Sequence, residues 1–421
     1  KTQEIRVGSQ RTLTIVLEAE STALEEVMVV AYGTATKESY TGSASVVRSD
    51  KLETRPVSSF TAALAANTTG LMINTSGMPG RADVVRIRGT GSVNADLSPL
   101  YVIDGIPVNM SDITQLSSSN SNPMATLNPS DIESVTVLKD AAASSLYGSR
   151  AANGVIVITT KQGKEGKTRY NLDVQYGLAN GLYTKPMANK DQFAELWVTG
   201  ELYRIMAIDA IFTGLSQIEY IKNCYANENT YNFYLNRAKN NFNTAYAIQG
   251  NVYDFWGEGY DQYPDTDWYD VVSRTGKTQK INLSASGGNN GITFFGSGEY
   301  FNEVGTIIGS DYRRFSGRLN LQSKTNQVAW FGMNMSMSYV DQNGPLLGNL
   351  YANPLRAAAN IPPVVPAYWE GEPNLSLPGD ILNNYNPVAM MEMNIYNYYT
   401  YRNLATAWAQ LNFTDFLYLK S

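Results

Sequence analysis

Side chains able to do covalent or acid–base chemistry near neutral pH are scarce in this sequence, which contains no histidine and one cysteine, Cys224. Without histidine the Ser-His-Asp and Cys-His arrangements and the His-Glu-x-x-His zinc motif are all excluded, which argues against a hydrolase. A single cysteine builds neither an internal disulfide framework nor a cysteine-based metal site, so Cys224 reads as a structural thiol. Asp265, Asp267 and Asp270 suggest calcium by their spacing. Against the EF-hand pattern, however, Tyr269 stands at the fifth position, Asp270 where glycine is needed and Gly276 where glutamate belongs. No enzymatic activity, cofactor or metal is expected.

The remaining candidates bind rather than react. Trp256, Tyr260, Tyr263, Trp268 and Tyr269 crowd one segment. Their flat amphipathic rings could stack on sugar faces or grip peptide side chains, or could pack the segment on itself or on a partner protein. Arg86, Arg88, Asp104, Asp131, Glu133, Lys139, Asp140 and Arg150 give a second set, each either pairing with a facing polar wall or serving as solubilising surface charge. In the third, Glu25, Glu26, Val27, Met28, Val29 and Val30, two acids lead a short apolar run between polar flanks. Such an isolated strand suits addition to a partner's sheet edge, with an interdomain linker as the alternative.

The elements that hold these residues follow from composition and periodicity. With 421 residues, 43% of them hydrophobic, the chain can bury a sizeable core. Aromatic residues reach 11%, including 28 tyrosines, while charged residues fall to 17%, a balance that suits strands girdled at a membrane edge. A net charge of −6 without a basic block speaks against nucleic acid as a partner. No run approaches the ~18 apolar residues of a spanning helix, and Lys1 does not open a signal peptide, so any entry into a membrane must use strands.

Along the chain, Arg11-Thr-Leu-Thr-Ile-Val-Leu-Glu18 alternates like the last strand of a preceding domain. From Thr41 to Gly163 a compact α+β domain is expected. Its helix-like segments are Ser58 to Ala66 and Ala141 to Tyr147, and its strands Gly70–Asn74, Val84–Arg88, Leu100–Asp104, Ile132–Leu138 and Gly154–Thr160. Beyond Gly163 the texture changes to long amphipathic strands near 168–179, 278–287, 291–302, 313–323, 327–340 and 399–413, with a seventh from Phe416. In the first, Tyr170, Leu172, Val174 and Tyr176 share one face opposite Asn171, Asp173, Gln175 and Gly177. Met333, Met335 and Met337 form a similar row, read as lipid-facing. Short links at 287–291 and 323–326 contrast with long, structureless loops near 181–276 and 341–397, the pattern of periplasmic turns against extracellular loops. Six or seven strands cannot close a wide barrel, and open edges in lipid cost several kcal/mol per unsatisfied group. The chain is therefore expected to be incomplete or completed by another polypeptide.

The segment from Leu127-Asn-Pro-Ser-Asp-Ile-Glu-Ser-Val-Thr-Val-Leu-Lys-Asp140 through Ala151-Ala-Asn-Gly-Val-Ile-Val-Ile-Thr-Thr160 resembles the plug signature of TonB-dependent transporters, specifically the SusC/RagA-like family of Bacteroidota. Glu25-Glu-Val-Met-Val-Val-Ala-Tyr-Gly33 is similar to the TonB-box region. Val85-Arg-Ile-Arg-Gly-Thr90, Tyr101-Val-Ile-Asp-Gly-Ile-Pro107, Asp265-Thr-Asp-Trp-Tyr269 and Ser316-Gly-Arg-Leu-Asn320 extend the likeness over nearly the whole chain.

The resemblance implies an α+β plug domain followed by antiparallel transmembrane β-barrel strands, an incomplete portion of a roughly 22-strand barrel. On it, residues 1–22 end an N-terminal β-sandwich-like extension and 23–40 hold the TonB box and linker. Residues 41–163 form the plug, and 164–421 the first six to seven barrel strands. It implies the outer membrane and its lipid as surroundings, and TonB, with ExbB and ExbD, as energy source. A SusD-like surface lipoprotein is implied as lid, and oligosaccharides or peptides as imported cargo. A mainly signalling receptor and a structural or adhesive surface barrel are the rival readings.

Overall fold

The computed structural model describes residues 27–30, 33–36, 43–52, 57–64, 67–75, 77–81, 83–87, 89, 98–108, 123–139, 147–148, 151–181, 186–324, 328–344, 353–375, 377, 385–393, 397–414 and 417–421. The expected strand at Arg11–Glu18, the acids Glu25 and Glu26, most of the expected helix at Ala141 to Tyr147, and Arg88, Asp140 and Arg150 lie outside the described residues.

The N-terminal domain is built on a five-stranded sheet. Its strands are β3 (Ala44–Arg48), β6 (Leu100–Ile103), β7 (Ile106–Val108), β8 (Ile132–Leu138) and β9 (Val155–Thr160), ordered β3-β8-β9-β6-β7. The central strands are near-continuous apolar runs because both faces are covered. Val135, Val137, Ile156 and Ile158 are buried in one core with Phe60 and Leu64 of helix α2 (Phe60–Leu64), and Val102, Val155 and Val157 are buried in a second. A short helix α1 (Ser49–Leu52) and the hairpin of β4 (Leu71–Asn74) and β5 (Val84–Ile87) complete the domain.

Ahead of it, β1 (Val27–Val30) pairs antiparallel with β2 (Gly33–Thr36) in the register Val27 to Thr36. The expectation of an isolated strand is corrected: a lone strand leaves its backbone groups unmet, and here the chain folds back to satisfy one edge.

Beyond Gly163 seven strands form one antiparallel meander. In order they are β10 (Gly166–Ala179), β11 (Gly276–Asn289), β12 (Ile292–Val304), β13 (Asp311–Ser323), β14 (Ala329–Asn343), β17 (Asn397–Asn412) and β18 (Tyr418–Lys420). Successive residues point to opposite faces, so the strands are largely apolar outward and mostly polar inward, with Phe301, Tyr312 and Val340 as an inward apolar patch packed on Ala125 of the plug. Leu172 pairs across to Leu283, and Val174 to Ile281, all outward and exposed. Tyr300, Phe315, Tyr339 and Tyr401 run side by side across four strands, with ring centroids 5.1, 6.4 and 4.8 Å apart, forming an aromatic girdle near the strand ends that carry the long connections. The connection between β12 and β13, Gly305 to Ser310, is short, an exception to the expected alternation.

The structureless loop expected at 181–276 is instead largely helical: α3 (Lys190–Ala210), α4 (Gln217–Ala226), α5 (Glu228–Ala245) and the short α6 (Trp268–Val272). Each start is dictated locally. Asn189 and Gln192 form a reciprocal capping box on α3, Ser216 caps α4, and Asn227 caps α5. Ala194, Val198, Leu202 and Ile205 recur at helical spacing and are buried against Ala238 and Phe242 of α5. The second long connection contributes α7 (Pro354–Asn360), a small hairpin of β15 (Tyr368–Trp369) and β16 (Glu372–Pro373), and α8 (Pro387–Met393). Its Ala357, Ile361 and Val365 join the same core, so the two long connections form one helical cap.

Candidate functional site

The plug meets the inner face of the strand wall through side chains that local motifs aim at it. In the Tyr101-Val-Ile-Asp-Gly-Ile-Pro107 hairpin, Asp104 and Gly105 both have positive φ, +48° and +87°, as a two-residue turn matched to strand twist requires. That turn presents the Asp104 carboxylate to Thr160, whose backbone N–H (2.9 Å) and hydroxyl (2.7 Å) both donate to it, and to Arg318 of β13, whose Nη2 lies 2.6 Å from Oδ2. The Arg318 and Asp104 side chains are 3% and 10% exposed, so this ion pair is nearly dry.

Asp131 is aimed by a second motif. Asn128 caps the turn Pro129–Asp131, its Oδ1 accepting from the Ser130 N–H (2.8 Å), while its Nδ2 donates to Asn282 of β11 (3.1 Å). Ser297 of β12 then donates to Asp131 (2.6 Å). Burial raises the Asp131 pKa to about 6 and outweighs the lowering by the Ser297 hydrogen bond and by Arg318.

The hub of the wall is Arg314 of β13. Fully buried, it pairs with Glu299 of β12 at 2.8 Å and donates to the backbone carbonyls of Ser58 (2.9 Å) and Ala125 in the plug. Tyr312 donates to Ala125 O at 2.5 Å, Gln342 to Pro79 O at 3.2 Å, and Arg402 to the Thr126 hydroxyl at 3.2 Å. Close approach is part of the fit. Gly80 (φ +71°) packs directly on the Tyr312 ring, and Gly163 lies flat on the backbone of Phe294. Between Asp131, Ser316, Arg318 and Arg402 there remains a cavity of about 20 Å³, polar and roomy enough for a bridging water.

Of the charges named from the sequence, Asp104 and Asp131 are brought to the wall. Glu133 turns instead to Lys164 of the connection into β10 (3.4 Å, both exposed), and Lys139 donates to Ser45 within the plug (2.6 Å). Arg86 stands in β5 opposite Met72 of β4. The wall's own contributors, Arg314, Arg318, Glu299, Ser297, Asn282 and Gln342, are not among the contact residues named from the sequence. Their signal was present: charged and amide side chains recurring at alternate positions of a spanning strand mark an inward face that meets something polar.

The loop aromatics divide. Tyr263 and Trp268 are buried in the helical cap, with Trp268 Nε1 donating to Pro362 O (3.0 Å) and the Tyr263 hydroxyl to Tyr253 O (3.0 Å), so both rings pack the cap on itself. Tyr260 and Tyr269 are half-buried, and Trp256 stays 38% exposed. The aspartates act as caps and clasps: Asp267 accepts from the N–H groups of Tyr269 (3.0 Å) and Asp270 (3.3 Å), and Asp265 from that of Lys190 (2.9 Å).

A small α+β domain seated by polar contacts on the inner wall of antiparallel membrane strands is the architecture of a TonB-dependent receptor of the outer membrane. Residues 36–155 match the TonB-dependent Receptor Plug Domain. The chain is 30% identical over 361 residues to TonB-dependent receptor P26 of Formosa agariphila, covering 86% of this chain and 30% of that protein. It is also 30% identical over 371 residues to TonB-dependent receptor SusC of Bacteroides thetaiotaomicron, covering 84% and 30%. Among solved structures it superposes on the RagAB peptide importer in its open-open state with a TM-score of 0.68 and 27% identity, covering 94% of this chain and 41% of that one. These matches support a SusC-like TonB-dependent receptor, and the chain spans about 30% of the length of the curated relatives it matches.

Proposed function

We propose that this receptor imports nutrients actively across the outer membrane, with TonB and its ExbB and ExbD partners pulling on the segment Glu25–Val30 and a SusD-like lipoprotein closing over the cargo, oligosaccharide or peptide. The observation that carries the reading is the chemistry of the plug–wall contact. Arg318 to Asp104, Ser297 to Asp131 and Arg314 to two plug carbonyls are directional polar contacts. Water can replace such contacts once the plug shifts, whereas a continuous apolar seam would resist separation at every step. The strand form of Val27–Val30 supports the handle, since a partner strand can extend or exchange its pairing with β2. The RagAB neighbour, a peptide importer, supports import as the class of activity.

Deleting Glu25–Val30 in the intact receptor tests this. Uptake and growth on the cargo are expected to fall to background while surface abundance is unchanged. Growth that survives the deletion would instead make the plug a static part of a structural or adhesive barrel.

A further inference from the structure

The helical cap carries a groove that the plug–wall contact does not use. It runs between the antiparallel helices α3 and α5 and is closed at one end by the turn Phe255–Tyr260. Along it lie Trp256, Tyr260, Tyr231, Leu235, Glu195 and Lys239. Beyond Tyr231 the aromatic lining continues to Tyr225, centroid to centroid 4.9 Å, and then to Tyr203, 6.0 Å further, rings that are 45% and 43% exposed.

The rings are fixed before any ligand arrives. Trp256 is wedged edge-on against Phe242 (5.3 Å) and Phe255 (5.1 Å), and its backbone N–H donates to Asp254 (3.2 Å). The Tyr260 hydroxyl donates to Asp191 (3.0 Å), and Lys190 Nζ holds the same turn through Tyr263 O (3.1 Å). Prefixed side chains lose little conformational entropy on binding. Lys239 Nζ hovers 5.2 Å from the Trp256 ring, and the Glu195 side chain is exposed on the opposite wall. The groove therefore offers flat apolar rings separated by a carboxylate that accepts hydroxyl hydrogens and an ammonium that donates.

We propose that this groove is a capture site for neutral oligosaccharide, a ligand whose ring faces stack on Trp256 and Tyr231 while its hydroxyls bond to Glu195 and Lys239. The proposal rests on the import reading above and selects among its cargoes. Peptide recognition fits the groove less well. An extended peptide needs a sheet edge, but both walls are helices whose backbone groups are already paired within the helix, and a helical peptide needs an apolar trough rather than one interrupted by Glu195 and Lys239.

The test uses the intact receptor isolated from outer membranes and an array printed with neutral hexose and pentose oligosaccharides beside a matched set of short peptides. Binding to at least one oligosaccharide is expected, weakened tenfold or more in Trp256→Ala, about threefold in Glu195→Gln, and little changed in Trp256→Phe or in Leu196→Ala outside the groove. Glu195→Gln and Trp256→Phe keep the test valid should Trp256→Ala disturb the cap. Peptide-only binding, no oligosaccharide binding, or oligosaccharide binding indifferent to Trp256→Ala and Glu195→Gln would overturn the site, as would variants that lose only a co-purifying surface lipoprotein. Association of the same preparations with the periplasmic domain of TonB is read in parallel. Its persistence when sugars fail to bind sinks the groove alone, and its absence sinks the import reading as well.

Discussion

Arg318 Nη2 and Asp104 Oδ2 stand 2.6 Å apart across 214 residues of sequence, tying an inward residue of the fourth membrane strand to a hairpin turn of the plug. Both groups are nearly dry, so neither can be removed without leaving the other charge uncompensated.

Arg318→Ala is expected to weaken plug seating by about 3–5 kcal/mol, the usual cost of orphaning one member of a buried pair. Hydrogen exchange of the amides in β6 and β9 measures it: exchange should quicken in Arg318→Ala and slow again, in part, in the Asp104→Ala/Arg318→Ala double variant. Unaltered exchange in the single variant would remove this pair from the account of plug seating.

Asp131 gives the seating a pH dependence. Its pKa in the seated plug is raised by burial to about 6, above the ordinary carboxylate value, so seating takes up a proton. Seating should therefore be tightest below about pH 4, weaken by roughly tenfold per pH unit between about 4 and 6, and level off above. Plug release followed from pH 4.5 to 7.5 should show this slope in the natural protein, and Asp131→Asn should flatten it. Equal slopes in the two proteins would assign the dependence to other groups.

Gly80 has no room for a side chain, because a Cβ there would enter the Tyr312 ring while the backbone holds φ +71°. Gly80→Ala should push the plug off β13 and expose the Tyr312 hydroxyl, whereas Gly89→Ala, equally strained at φ +93° but facing open space, should cost only the local backbone penalty. Proteolytic sensitivity of the two variants separates the effects; equal sensitivity would mean the close approach does not matter.

The membrane strands were legible because their period of two is exposed on both faces: Tyr170, Leu172, Val174 and Tyr176 turn outward as the alternation predicts. The helical cap was not. In α3 the buried row Ala194, Val198, Leu202, Ile205 has a helical period, yet Leu196, Ile208 and Tyr203 are exposed on other faces, so the apolar stripe is blurred and the segment reads as featureless. Trp268 and Tyr263 were open by type to binding or to packing, and what covers each ring decides: Pro362 beyond α7 lies on Trp268, and Phe242 and Phe255 enclose Tyr263. In the plug, Asp104 and Asp131 were readable as charges in motifs. Their partners Arg318 and Ser297 carried the inward-face signal of alternate polar positions, but the pairings themselves, 214 and 166 residues apart in sequence, are fixed by how the plug sits in the wall and leave no local pattern.

The central claim is that the plug must leave this seat for transport. Asp131→Cys and Ser297→Cys place two thiols where side chains now meet at 2.6 Å, and the native Cys224, buried in the cap with its pKa raised by burial, stays out of the reaction. The measurement is cargo uptake before and after joining those thiols with a short reducible cross-linker. Uptake should fall at least tenfold when they are joined and return on reduction; full uptake with the link complete would contradict the account.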